Sequence, residues 1–208
     1  MTVRKNAASV SERKKPKEGT LDFYPTPAWS TRALFENVLT NWDLFRTWQW
    51  KVYEPAAGEG HIVEVLKEYF YEHNIIASDI HDYGYKYDFI RDFVIAPPVE
   101  CDFIITNPPF KLANQFIKRA LEVASTCVCI FGKIQLLEGV NRWRQIYRQT
   151  PPSIIAPFTS RVTLYENEER DSGGQMMFAW YIWIKDNDKW NSAPPKVCLL
   201  YTSDAADE

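Results

Sequence analysis

Lys51-Val-Tyr-Glu-Pro-Ala-Ala-Gly-Glu-Gly-His-Ile62 is the stretch on which the fold turns. It opens as an apolar strand over 51–56 and breaks into a tight turn from Gly58 to Gly60. An amphipathic helix then runs over 62–71, where Ile62, Val65, Leu66 and Phe70 recur at helical spacing. Gly58 and Gly60 remove side chains where the backbone must bend sharply and approach a ligand. The helix start offers free N–H groups to a carboxylate. A dinucleotide fingerprint wants a third glycine three residues after Gly60. Val63 stands there instead, which disfavours a pyrophosphate ligand.

Working outward, 74–79 is a short apolar strand ending in an acid, 89–95 a further candidate strand, and 101–106 a strand closed by Asn107-Pro108-Pro109. A helix is expected over 112–124, a buried strand over 127–131 and a helix over 138–148. Strands follow over 153–158 and 176–184, with a polar loop over 166–174 between them. Upstream, the residues after Pro25 and Pro27 form a helix over 29–44. Strands alternating with helices predict an α/β fold, a mostly parallel, doubly wound sheet covered on both faces. The last two strands lack a crossover helix and are expected to form an antiparallel pair at one edge.

With 208 residues, 46% hydrophobic and 25% charged, the chain reads as one globular domain. A net charge of -3 means that any nucleic-acid contact comes from a local basic surface rather than from bulk charge. No apolar run approaches the roughly 20 residues of a bilayer helix, and a cytoplasmic protein is expected. Cys127 and Cys129 point to one face of an apolar strand and read as reduced core thiols, with Cys101 and Cys198 elsewhere. His61, His73 and His81 show no metal-ligand spacing with them, so no metal site is expected. Residues 1–19, basic and nearly free of apolar side chains, read as a disordered tail, solvated or drawn to phosphate. Cys198 to Glu208 resembles a translated sequencing-library adapter, which leaves 20–197 as the expected domain.

Asp79, at the end of the strand after the glycine turn, is positioned to accept from two ribose hydroxyls beside the crevice of a doubly wound sheet. Asp92-Phe93 supplies a carboxylate for an adenine amine and an apolar wall, with Asp88-Phe89 a competing pair four residues earlier. In Asn107-Pro108-Pro109-Phe110, two prolines end the strand and stiffen the backbone. An exocyclic aromatic amine is a poor nucleophile because its lone pair is delocalised into the ring. The Asn107 side-chain oxygen and the Pro108 carbonyl could hold its hydrogens and favour a more tetrahedral nitrogen, which would attack a sulfonium methyl in line. Phe110 would stack on the base, a contact worth roughly 1–3 kcal/mol.

Glu54 to Gly60 followed by Asn-Pro-Pro-Phe resembles the adenine-specific DNA methyltransferases, especially the small phage- and prophage-type enzymes. The similarity extends to Phe23-Tyr24-Pro25-Thr26-Pro27, to Arg161 and to Phe178-Ala-Trp-Tyr-Ile-Trp183, covering roughly residues 20 to 197. It implies a Rossmann-like class I methyltransferase domain using S-adenosylmethionine, with DNA as partner. It also implies that Tyr24 and Thr26 close over the methionine part of the cofactor, and that Glu54, Ala56 and Gly58 line that pocket near Gly60. Asp79 would take the ribose, Asp92 and Phe93 the adenine. One departure is expected: larger members carry a target-recognition domain, and no inserted or appended one fits within these residues. Recognition would then fall to Lys111, Arg142, Arg144, Arg161 and the loop around 170–175, and base flipping would cost a few kcal/mol. Related Asn-Pro-Pro patterns act on adenine in RNA and, with Tyr in place of Phe110, on glutamine in proteins. Those acceptors stay open, as does a catalytically silent binding module, although the intact acidic, glycine and Asn-Pro-Pro-Phe elements speak against decay.

Overall fold

The computed structural model describes residues 24–41, 49–162, 176–185 and 193–201. The expectations for the 1–19 tail, for Phe23 and for the 166–174 and 170–175 loop lie outside these residues. The strands are β1 (Val52–Glu54), β2 (Ile75–Asp79), β3 (Phe89–Ile90), β4 (Cys101–Thr106), β5 (Ala124–Lys133), β6 (Ile154–Pro157), β7 (Phe178–Ile184) and β8 (Lys196–Val197). They form a single sheet in the order β3-β2-β1-β4-β5-β7-β6-β8. All neighbours are parallel except β7, which runs antiparallel between β5 and β6. The expected antiparallel pair is therefore β6–β7, and the outermost strand beyond it is β8, parallel to β6.

The helices are α1 (Ala28–Leu34), prolonged by a π-helical turn at Phe35–Leu39, α2 (His61–Leu66), α3 (Ala113–Val123) and α4 (Val140–Arg142), prolonged by a π-helical turn at Trp143–Tyr147. The helix expected over 62–71 stops at Leu66. Bonds of 3.0 Å from Glu68 N to Val65 O and from Tyr69 N to Leu66 O tighten the chain there, and Phe70 still reaches the core. β5 is longer than expected at both ends, because Ala124 pairs with Cys101 of β4 and Lys133 with Phe178 of β7.

Alternation along the strands explains why both faces are covered. Phe178, Trp180, Ile182 and Ile184 of β7 enter one core with Cys127, Cys129 and Phe131 of β5 and with the α1 and α2 side chains Leu34, Val38 and Leu66. Ala179, Tyr181 and Trp183 enter the other, with Val128, Ile130 and the α3 residues Phe116, Ile117 and Ala120. Every residue of β7 is buried, as expected of a strand sandwiched between two helical layers. The polar tips are satisfied: Trp180 Nε1 donates to Ser30 O at 2.8 Å and Trp183 Nε1 to Thr150 O at 3.0 Å. Leu200, beyond the expected domain end, is fully buried, and its N–H donates to Pro157 O at 2.9 Å.

Strand order reverses between β1 and β4, with β2 and β3 on one side and β5 on the other. That switch point, at the carboxyl ends of the strands, is where an open α/β sheet leaves a crevice.

Candidate active site

A cleft of about 730 Å³, counting space open to solvent, lies at this edge. Ala56, Asp79 and Asn107, from the ends of β1, β2 and β4, all face it, with Tyr24 and Thr26 from the segment before α1. Asp92 and Phe93 form its far wall. Asp88 and Phe89 do not: Asp88 Oδ2 instead accepts from Ala77 N at 2.8 Å, and Phe89 is exposed beneath the Arg91 guanidinium.

The glycine turn underlies the cleft rather than lining it. Gly58 (φ 52°) and Gly60 (φ 85°) both occupy the left-handed region, where a side chain is disfavoured. Gly58 N donates to Asp79 Oδ2 at 2.9 Å, and Gly58 O accepts from the Tyr87 hydroxyl. A Cβ on Gly60 would lie 2.2 Å from the ring of Tyr85, whose hydroxyl donates to Glu64 Oε1 at 2.8 Å. Tyr85 and Tyr87 thus clamp the turn from outside, a role the sequence signals only as tyrosines alternating through the polar stretch 83–87. Asp79 holds its own loop: Oδ1 accepts from His81 N at 3.0 Å while Oδ2 holds Gly58.

Glu54 lies beneath the floor, fully buried, with Oε1 accepting from Ala56 N at 2.9 Å. Burial pushes its carboxyl up to about 8. The Thr106 hydroxyl and the Ala56 N–H oppose the rise, and the Asp79 charge adds to it. Below its ordinary value this carboxyl is protonated in both the folded and the unfolded chain; as pH rises the unfolded chain ionises while the buried group keeps its proton, and the difference favours unfolding. Stability is therefore greatest near the ordinary value of 4.5 and falls as pH rises towards 8. Unfolding free energies measured from pH 5 to 9 should decline on the order of 1 kcal/mol per pH unit up to about pH 8 and then level off, and Glu54→Gln should flatten the decline. Equal slopes in both proteins would refute the assignment.

Asn107 is oriented by its neighbours. Its amide nitrogen donates to Tyr24 O at 3.1 Å and to Thr26 Oγ1 at 3.0 Å. Because a backbone carbonyl can only accept, this fixes the amide, and Asn107 Oδ1 is left buried with no hydrogen-bond partner. The corner that follows is a partition. Asn107 and Pro109 face the first cleft, whereas Pro108 and Phe110 face a second of about 500 Å³, walled by Phe131, Lys133, Gln135 and Arg142. Pro109 O accepts from Leu112 N at 2.9 Å and so starts the turn into α3. Phe110, expected to stack on an acceptor base, is stacked here on Tyr24 (4.9 Å between centroids), with Lys133 Nζ 4.1 Å from its ring centre.

Among the expected recognition residues, Arg142 is a structural clamp. Its Nε donates to Asn114 Oδ1 at 2.6 Å, and Nη1 donates to the carbonyls of Gln135, Leu136 and Glu138 at 3.2, 2.9 and 2.7 Å. These bonds commit Nε and Nη1 of Arg142 to the fold. Arg142→Ala should cost about 2–3 kcal/mol and speed amide exchange over 134–139. Exchange unchanged in that loop would exclude the clamp. Lys111, Arg144 and Arg161 are exposed and line neither cleft. Residues that the sequence reading did not single out for the site are Ile80, His81, Tyr83, Arg91 and Phe116 on the first cleft and Lys133 on the second. Ile80 and His81 could have been found, since they directly follow the acid at a strand end.

No family model matches the sequence, and no curated protein matches it. Solved structures match in fold. A Pyrococcus horikoshii protein, provisionally described as an RNA methyltransferase, superposes with a TM-score of 0.59 at 17% identity, over 82% of this chain and 91% of that one. The M protein of the type I restriction enzyme EcoKI gives 0.59 at 10% identity, over 83% of this chain and 46% of its own, so this chain spans less than half of that protein. Magnesium protoporphyrin IX methyltransferase from Synechocystis, solved with S-adenosylmethionine bound, gives 0.51 at 10% identity, over 76% and 78% of the two chains. The chain has the Rossmann-like fold of class I methyltransferases. Its sheet, with one antiparallel strand beside β5, and its crevice at the β1–β4 switch are features of that class.

Proposed function

We propose that this chain transfers a methyl group from S-adenosylmethionine to the exocyclic amine of adenine in DNA. The observation that carries the reading is Asn107 Oδ1, a buried acceptor left unpaired on a residue that lines the first cleft and is followed directly by Pro108 on the second. A buried oxygen without a partner is costly, and the hydrogen of a planar amine entering from the second cleft would satisfy it.

The first cleft suits the cofactor on the same grounds. Asp79 offers a carboxylate with lone pairs to spare, Phe93 and Phe116 give an apolar slot beside Asp92, and Tyr24 and Thr26 close the side nearest Asn107. When bound, S-adenosylmethionine supplies an electrophilic methyl on a sulfonium. Asn107 accepts from the amine and turns the nitrogen lone pair towards the first cleft. The amine nitrogen would take that methyl while the sulfur keeps the electron pair of the broken C–S bond, and the surplus N–H proton would leave to water. Pro108 and Pro109 keep the corner stiff, so that little reorganisation is needed at the moment of transfer. Phe110 stacks on the base once the Lys133 ammonium or Tyr24 gives way.

The test is label transfer from methyl-labelled S-adenosylmethionine to DNA, RNA and protein offered in parallel, followed by identification of the labelled base or side chain. N6-methyladenine in DNA is the expected product. Label only in RNA adenine, which the likeness to the Pyrococcus protein favours as a second reading, or in glutamine, would replace it. Cofactor binding with no transfer to any acceptor would mark a silent module.

A further inference from the structure

Charge is unevenly spread along this chain. The whole carries 24 Lys and Arg against 27 acids, yet residues 107–149 carry seven against two. Between 134 and 149 the single acid is Glu138, against Arg142, Arg144 and Arg148. The segment starting at α4 follows β5 and its loop, so it begins at the sheet edge where Asn107 lies. Its inner side is fixed by Ile146, which is buried, and by Arg142 and Tyr147, whose hydroxyl donates to Leu136 O at 2.7 Å.

The outer side is unusual for a protein surface. Trp143 is 51% exposed, Val140 64% and Leu137 42%, side by side with cations. The Arg148 guanidinium lies 5.9 Å from the indole centre, and Lys118 reaches across from α3 to Gln145 at 3.0 Å. Among the described residues, Lys118, Arg144 and Arg148 form no ion pair. Arg142 is held on the inner side by four acceptors, whereas Arg144 and Arg148 are exposed.

We propose that the Trp143–Arg144–Arg148 face is a docking platform for an unpaired DNA strand, one of whose bases enters the Phe110 cleft. The inference rests on the reading of the acceptor as adenine in DNA. Exposed aromatic surface interleaved with unpaired cations suits a strand that offers base faces and phosphates together. A duplex hides its base faces in the stack and would leave the indole, Val140 and Leu137 without partners. A second copy of this chain is disfavoured, because a two-fold contact sets the same positive face against itself. A strand held here reaches the amine site without the cost of extracting a base from a helix.

The test measures binding of a fluorescein-labelled 20-nucleotide DNA strand, its duplex and an RNA of the same sequence to the full chain. The proteins compared are the natural one, Trp143→Ala, Trp143→Phe and Arg144→Gln/Arg148→Gln. Trp143→Ala should weaken strand binding by roughly five- to a hundred-fold, with most of it restored in Trp143→Phe. The double Arg variant should lower the salt slope by about 1.4. All four should bind S-adenosylmethionine alike, since none of these positions lines the first cleft. Strand binding unchanged in Trp143→Ala, tighter binding of duplex or RNA, or a dimer that Trp143→Ala dissociates would each overturn the platform. If the platform fails while DNA is still methylated, the proposed reaction stands. Trp143-dependent strand binding with no methyl transfer by the natural chain would support the platform and sink the reaction.

Discussion

Asn107→Ala is expected to lower methyl transfer by roughly 10²–10³-fold, the loss typical when one preorganised hydrogen-bonding group is removed from a reacting centre. Two effects combine. The variant loses Oδ1, the unpaired acceptor proposed to hold the amine, and it loses the two N–H donors that tie Tyr24 O and Thr26 Oγ1 to the end of β4. The first should appear in kcat, the second in affinity for S-adenosylmethionine. Asn107→Asp separates them, because it keeps an acceptor but sets a carboxylate oxygen against the Tyr24 carbonyl. It should lose more cofactor affinity than Asn107→Ala and less of the chemical step. If single-turnover rates of Asn107→Ala with saturating cofactor match the natural chain, the amine is held elsewhere.

Asp79→Ala should be the most destabilising single change at the site. The carboxylate accepts from Gly58 N at 2.9 Å and from His81 N at 3.0 Å, and it is only 7% exposed. Its removal strands the buried Gly58 N–H and leaves the His81 N–H, on an exposed residue of the loop after β2, without its acceptor. At about 1.5–3 kcal/mol for each hydrogen bond to a charged group, the two bonds bound the loss at about 3–6 kcal/mol, a large share of the stability of an ordinary domain. The melting temperature should fall by roughly 10 °C. Asp79→Asn keeps one acceptor and should fall less. It should still lose S-adenosylmethionine binding, because two ribose hydroxyls need two acceptor oxygens. Calorimetry of both variants checks this: cofactor bound by Asp79→Asn with natural affinity would remove Asp79 from the ribose role while leaving its grip on the turn intact. The same substitution removes the charge that helps raise the Glu54 carboxyl, so the fall in stability with pH should start alike in both proteins but end at a lower pH in Asp79→Asn than in the natural chain.

The parts of the site that are legible in sequence share one property: their chemistry is set by neighbours along the chain. Gly58 and Gly60 announce a left-handed turn because few other residues tolerate one. Asp79 stands at a strand end, and Asn107-Pro108-Pro109 must break a strand wherever it occurs. The strands themselves were readable from apolar runs, and their alternation with helices implied cover on both faces. Helix ends were less legible, since α1 and the α4 segment pass into π-helical turns and α2 tightens early, where packing outweighs periodicity.

Other assignments needed the folded chain. Asp92-Phe93 and Asp88-Phe89 are alike in sequence. They separate only when Asp88 is drawn to the backbone of β2 and Phe89 is left outside. Arg142 reads as a surface cation until three carbonyls and Asn114 converge on it. Glu54 reads as a lining residue but lies under the floor, and Phe110 reads as a free stacking surface but carries Tyr24 and Lys133.

The sequence by itself determined the kind of sheet, the glycine turn and the Asn107 corner, because backbone permissiveness and strand periodicity are local properties. Tertiary structure alone decided that Pro108 and Pro109 face different clefts, that Asn107 keeps one oxygen unpaired, and which cations remain outside. Those outcomes depend on which distant groups arrive within hydrogen-bonding reach, and no spacing along the chain encodes such an encounter.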